Sequence, residues 1–128
     1  MAYILDTSVA IDLRDAVTEI EDKVVTLRGG VSLSVITRIE LEGGVLQDET
    51  DAARRRARLD ILLDSLPVLP FGTAAAEAYR MIIEAAGFSR RKIVDRMIAA
   101  QALASGAALV TRNAADFRDI PNLKLLEG

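Results

Sequence analysis

Val94-Asp95-Arg96-Met97-Ile98-Ala99-Ala100-Gln101-Ala102-Leu103-Ala104-Ser105-Gly106-Ala107-Ala108-Leu109-Val110-Thr111-Arg112-Asn113 is the stretch that decides the architecture. Residues 94–105 are nearly all apolar, so a helix there is buried on most sides. Gly106 stops it. Ala107 to Val110 follows as an apolar run of strand length, and Thr111-Arg112-Asn113 forms its exit. A buried helix running straight into a buried strand is one step of a layered α/β protein.

Working outward, the same alternation recurs. Ala2 to Leu5 reads as a buried strand, with Asp6-Thr7-Ser8 as its exit turn and a short helix after it. Residues 16–28 read as a helix of mixed charge, broken by Gly29-Gly30. Val31 to Val35 alternates apolar residues with Ser and reads as a second strand. Thr37 opens a helix that stops near Gly43-Gly44. The acids of Asp48-Glu49-Thr50-Asp51 suit the N-terminal dipole of a helix running from Ala52 to about Leu66. Pro67 to Pro70 is a short strand closed by proline, and an Ala-rich helix from Thr73 ends at Gly87. Ser89 to Lys92 is a basic link, and Lys124 to Leu126 makes a last edge strand. Strands and helices in alternation predict a three-layer α/β/α fold around a central parallel sheet, with one domain over residues 1–128.

Composition removes several chemistries. The chain has 128 residues and neither His nor Cys. Without them there is no Ser-His-Asp triad, no His-based acid–base pair and no typical zinc site. Hydrolysis would have to use carboxylates with a hard cation such as Mg²⁺ or Mn²⁺. Sixteen Lys and Arg against 19 Asp and Glu give a net charge of −3, so any RNA contact must come from a local patch or from metal ions. No apolar run approaches the ~20 residues that span a bilayer. Met1 to Asp6 lacks the basic region of a signal peptide, which makes the cytoplasm the expected location.

In parallel sheets, sites lie beyond the carboxyl ends of the strands. Four acids stand there. Asp6 follows the first strand, Glu40 lies in the helix after the second, Asp95 starts the buried helix, and Asp116 follows the 107–110 strand. Taken singly, each has a structural role to fill. Asp6 can cap a helix, and Glu40 can complete a capping box with Thr37. Asp95 can complement a helix dipole, and Asp116 can sit in a solvated turn. Taken together, they can hold one or two cations for phosphodiester hydrolysis, and without metal their repulsion should raise at least one pKa. Beside them Arg90, Arg91, Lys92 and Arg96 surround Asp95, four bases to one acid, with Arg112 at a strand exit. They read either as a phosphate-binding patch or as a solvated link whose bases pair with neighbouring acids. Arg54 to Arg58 reads as a solvated or partner-facing helix side.

Four segments carry a resemblance. They are Tyr3 to Ser8; Ile39-Glu40-Leu41 with Gly43; Val94 to Ala100; and Leu109 to Asn113 with Asp116-Phe117. Their order and spacing, running the length of the chain, resemble the PIN-domain family and within it the VapC-type toxins of toxin–antitoxin pairs. The resemblance implies a Rossmann-like sheet and a Mg²⁺ or Mn²⁺ endoribonuclease acting on structured RNA, either tRNA or a ribosomal RNA loop. It also implies a homodimer and a cognate antitoxin that blocks it. It assigns Asp6, Glu40, Asp95 and Asp116 to the catalytic metal site, with Thr7, Ser8 and Asn113 in support. Two other readings stay open. One is a phosphatase, since Leu5-Asp6-Thr7-Ser8 is similar to an aspartyl nucleophile loop with Ser8 where a second Asp belongs. The other is a non-catalytic binding module on the same fold.

Overall fold

Leu5 and Ile4 show how the layers arise. They are adjacent in the first strand, both fully buried, and point to opposite faces. Leu5, Leu33 and Val110 join one core with Val9, Leu41, Leu59 and Leu62. Ile4 and Leu109 join a second core with Ile82, Ile98, Ala99 and Phe117. A sheet buried on both faces needs continuous apolar strands, as these are.

The computed structural model describes residues 1–27 and 29–128. Its strands are β1 (Tyr3–Leu5), β2 (Val31–Ser34), β3 (Val68–Leu69), β4 (Ala108–Thr111) and β5 (Leu125–Glu127). Its helices are α1 (Thr7–Arg14), α2 (Thr18–Thr26), α3 (Val35–Val45), α4 (Ala52–Ser65), α5 (Thr73–Ala86) and α6 (Ile93–Ser105), with 3-10 turns at Arg90–Lys92 and Ala114–Phe117. All four strand pairings are parallel, in the order β3-β2-β1-β4-β5. This is the expected three-layer α/β/α arrangement. Helices α1 to α4 cover one face, and α5 and α6 the other. The chain moves outward from β1 through β2 to β3, then returns to the other side of β1 with β4. The switch point therefore lies between β1 and β4, where Leu5 pairs with Val110.

Several boundaries differ from the sequence expectation, each for a local reason. Ala16 takes a positive φ of 58°, which closes α1 and delays α2 to Thr18. Arg28, expected at the end of that helix, lies outside the described residues. Val35 belongs to α3, because the Ser34 hydroxyl accepts from Ile36 N and caps the helix there. The helix then runs through Gly43-Gly44 to Val45. Asp51 makes no side-chain cap for α4, and Asp48 instead accepts from Thr50 N.

Gln101, buried on α6, fastens the sheet edge. Its amide donates to the carbonyls of Leu69 (3.1 Å) and Pro70 (2.9 Å), and its oxygen accepts from Ser34. β3 is thus pinned at two residues' length, with Pro67 and Pro70 at its ends. At the start of β2, beside β1, Gly30 turns the chain at φ +66°. A Cβ there would lie 2.7 Å from the Met1 carbonyl oxygen, while the Gly30 carbonyl accepts from Tyr3 N at 2.8 Å. Gly30→Ala is therefore expected to cost ~1–3 kcal/mol through backbone strain. Urea unfolding checks it, and a midpoint equal to wild type would contradict the close approach.

Candidate active site at the carboxyl edge of the sheet

Asp6 stands at the switch point. Its backbone N donates to Val110 O at 2.9 Å, which extends the β1–β4 ladder by one step. Its side chain is buried and caps α1, with Oδ1 accepting from Val9 N at 3.1 Å. The same Oδ1 accepts from the Ser8 hydroxyl at 2.5 Å, and Oδ2 accepts from the Thr111 hydroxyl. The capping role is real, and it coexists with a place on the rim. With both oxygens held by hydroxyls of its own chain, Asp6 has the surroundings of a fixed carboxylate rather than of an unencumbered nucleophile.

Glu40 projects from α3 and is exposed, with Oε1 accepting from the Thr7 hydroxyl. Thr7 is the first residue of α1, so this bond crosses from Asp6's helix to Glu40's. The capping box with Thr37 does not form. Ser34 is the cap, and the Thr37 side chain is fully buried with its hydroxyl 3.0 Å from that of Thr7. Glu42 points elsewhere, to Arg56 and Arg38. The hydrogen bond from Arg56 is the main reason its carboxyl lies below the ordinary range.

Asp95 is half-buried in the first turn of α6. Burial, and then the charges of Asp6, Asp116 and Glu40, push its carboxyl above the ordinary value, while the Lys92 ammonium pulls it back. The charges of all three other acids thus reach it. Asp116 is exposed on the 3-10 turn after β4, its backbone N bonded to Asn113 O at 2.9 Å. An all-oxygen donor set with mutual repulsion fits a hard divalent cation by chemistry. Among the described residues, no three acids already stand gathered as a ligand set.

The supporting residues divide. Thr7 and Ser8 bond to acids directly. Asn113 takes part through its backbone, its N donating to Thr111 Oγ1 at 2.9 Å. A second hydroxyl contact to Asp6, beside that of Ser8, comes from Thr111, which the sequence reading placed only in the strand exit. The register carries the clue: one step beyond the Leu5–Val110 pair comes Asp6 with Thr111.

The basic patch is smaller than the sequence suggests. Arg96 is buried; it donates to Gly87 O and to Asp119 at 3.1 Å, so its guanidinium is turned inward and cannot serve as a phosphate contact. Lys92 also pairs with Asp119, at 3.3 Å. Partial burial pushes the Asp119 carboxyl up, but the hydrogen bonds from Lys92 and Arg96 outweigh it and hold it below the ordinary range. Arg112 is half-exposed and paired with Asp12. Arg90 and Arg91 are exposed, with no ion pair among the described residues.

A parallel sheet with acids around its switch point defines a class of α/β/α protein, and comparison with known proteins narrows it. The PIN domain family model matches residues 3–123. Ribonuclease VapC1 of Rickettsia felis is 31% identical over 130 residues, covering 98% of this chain and 96% of its own length. Ribonuclease VapC2 of the same organism is 29% identical over the same shares. Among solved structures, VapBC2 from Rickettsia felis, bound to a DNA fragment from the promoter, superposes with a TM-score of 0.89 at 27% identity. The match covers 100% of this chain and 99% of that one. The chain belongs to the PIN-domain family, in its VapC branch.

Proposed function

We propose that this chain is a divalent-metal-dependent endoribonuclease, the toxin of a toxin–antitoxin pair, cutting structured RNA of the tRNA or ribosomal-loop kind. The observation that carries the reading is Asp95, pushed up by burial and by the charges of Asp6, Asp116 and Glu40 at the carboxyl edge of a parallel sheet. Asp6, Glu40 and Asp95 would hold Mg²⁺ or Mn²⁺, with Asp116 at the rim. The cation, when bound, supplies an activated water and neutralises phosphate charge. The chain's own part is orientation. Ser8 and Thr111 fix both oxygens of Asp6, and Thr7 fixes one of Glu40. Arg90 and Arg91 offer phosphate contacts beside Asp95, with Lys92 and Arg112 nearby as paired bases.

The relatives support the partner as well as the activity. VapBC2 from Rickettsia felis is a VapBC structure, and the proposed partner here is a cognate antitoxin. An apolar groove of about 530 Å³ among α1, α2 and α4, lined by Leu13, Val24, Val25, Ile61 and Leu66, gives a protein partner a surface. Pairing of two copies is also proposed, through exposed apolar side chains such as Ile39, Met81 and Phe88. No helix among the described residues is long and apolar enough to cross a membrane.

The test is sequencing of new 5′ ends in total RNA after the chain is induced, beside an Asp6→Asn variant. Asn keeps the capping oxygen that Ala would remove. Discrete new ends with the native chain, absent with the variant and abolished in vitro by EDTA, are expected. No new ends together with normal Mg²⁺ binding would mark a non-catalytic module, and a trapped phosphoaspartate at Asp6 would mark a phosphatase.

A further inference from the structure

We infer that Thr37 is a positioning residue of the acid site: its buried hydroxyl sets Thr7, and Thr7 sets the Glu40 carboxylate. This inference rests on the metal-site reading above and adds to it a residue whose side-chain hydrogen bond goes to Thr7 and not to an acid.

Proton counting fixes the direction of the chain of bonds. The Thr7 hydroxyl carries one hydrogen. Its contact with Glu40 Oε1 uses that hydrogen, because a carboxylate only accepts. At the Thr7–Thr37 contact of 3.0 Å, Thr7 can then only accept, so Thr37 donates. The sequence of donors is Thr37 to Thr7 to Glu40. Hydrogen bonds in series polarise one another, so a donor behind Thr7 strengthens the bond it makes in front.

Burial says why a hydroxyl sits there at all. Thr37 is 0% exposed, on the face of α3 that packs against α1. Val would fill the same space with no polar group to satisfy, and a buried hydroxyl is costly unless bonded. Its hydroxyl bonds to that of Thr7, on the neighbouring helix. Thr37 and Glu40 are three residues apart on α3, so they share a face. Thr7 follows directly on Asp6, which caps α1. The pair therefore ties the helix that carries Asp6 to the helix that carries Glu40, and it fixes one Glu40 oxygen while the other remains for a cation. Metal-site side chains are commonly oriented by such outer partners, whose loss typically costs 10–100-fold in metal affinity or activity.

Mn²⁺ affinity, read by electron paramagnetic resonance of the free ion, tests this in Thr37→Val, Thr37→Ser, Thr7→Val, the double valine variant and Glu40→Gln. Melting in EDTA checks each fold, and Thr37→Ala replaces the valine variant if that one does not melt cooperatively. Thr37→Val is expected to weaken Mn²⁺ binding about tenfold, at the lower end of that range. Thr37→Ser should restore it, since Ser keeps the donor. The double variant should bind no more weakly than Thr7→Val alone, as residues acting in series do not add. Excess Mn²⁺ should rescue RNA cleavage by Thr37→Val but not by Glu40→Gln. Wild-type Mn²⁺ affinity in Thr37→Val, with affinity lost in Glu40→Gln, would overturn the role of Thr37 and leave the metal site standing. Wild-type affinity in Glu40→Gln as well would overturn the site itself.

Discussion

Asp95→Asn is expected to abolish RNA cleavage while raising the melting temperature of the metal-free protein. The two effects have one cause. Asp95 is half-buried and feels the charges of Asp6, Asp116 and Glu40, so its ionised form is disfavoured in the folded state. Asn has the same size without the charge. The loss of activity should exceed the ~100-fold at the top of the range for a supporting group, because a proposed direct ligand is removed. The gain in melting temperature should be ~2–6 °C, the scale of about 1 kcal/mol in a domain of this size.

Its pH dependence follows from linkage. The folded state holds the Asp95 proton more tightly than the unfolded chain does, so ionisation costs stability as pH rises through the raised folded value. Below about pH 4, the ordinary carboxylate range, both states are protonated and the cost is gone. The advantage of Asn should therefore be full at neutral pH and fade on acidification. Added Mg²⁺ should reverse the ranking, stabilising the native chain by binding and leaving the variant unmoved. Scanning calorimetry from pH 4 to 7.5, with and without Mg²⁺, measures all of this. A folded Asp95→Asn variant with full cleavage would remove that residue from the site.

Arg96→Ala is expected to lower stability by ~2–3 kcal/mol and to leave the salt dependence of RNA binding unchanged. The guanidinium holds the Gly87 carbonyl and Asp119, and the aliphatic stem packs with it out of solvent. The variant loses both, with a fall in melting temperature of ~5–10 °C. Asp119 is itself well exposed, so its own loss of a partner contributes little. Arg90→Ala with Arg91→Ala should do the reverse. Exposed, and without an ion pair among the described residues, they should shift stability by no more than ~0.5 kcal/mol. They should nevertheless weaken RNA binding and flatten its salt slope, because fewer counterions are released. Binding is measured on an Asp6→Asn background so that the RNA stays intact. A flattened slope in Arg96→Ala with none in the Arg90/Arg91 pair would put the RNA path on another surface.

The contrast between Arg96 and its neighbours marks what the sequence could show. Residues 90–96 read as one basic run, yet a helical turn separates solvent from interior. Arg96 falls on the inward side of α6 beside Ile98 and Ala99, and what makes that tolerable is the Gly87 carbonyl together with Asp119, 23 residues on. Partners that distant leave no local pattern. The layers, by contrast, were legible, because Ile4-Leu5, Leu33 and Leu109-Val110 are apolar at successive positions or in alternation, and only a sheet covered by helices buries such strands. The placement of the four acids after strands or near helix starts was legible, and their shared metal role is proposed from it and from the family resemblance. Thr37 was read as a cap because Thr-x-x-Glu is the capping-box spacing. Ser34 takes that place, and the hydroxyl contact with Thr7 depends on α1 packing against α3, which the spacing does not encode. Thr111 could have been placed by pairing β1 with β4, but that pairing crosses over 100 residues of chain.

The short β3 edge has a consequence for how other molecules meet this protein. Val68–Leu69 is bracketed by Pro67 and Pro70, neither of which has an N–H to offer, and the Leu69 and Pro70 carbonyls are already engaged by Gln101. An incoming extended peptide would find almost no backbone ladder to zip onto along that border. Strand addition is thereby closed on the β3 side, which also blunts edge-to-edge polymerisation there. Recognition on that flank must proceed by side chains of helices seated against helices, a mode that reads surface relief instead of main-chain hydrogen bonding.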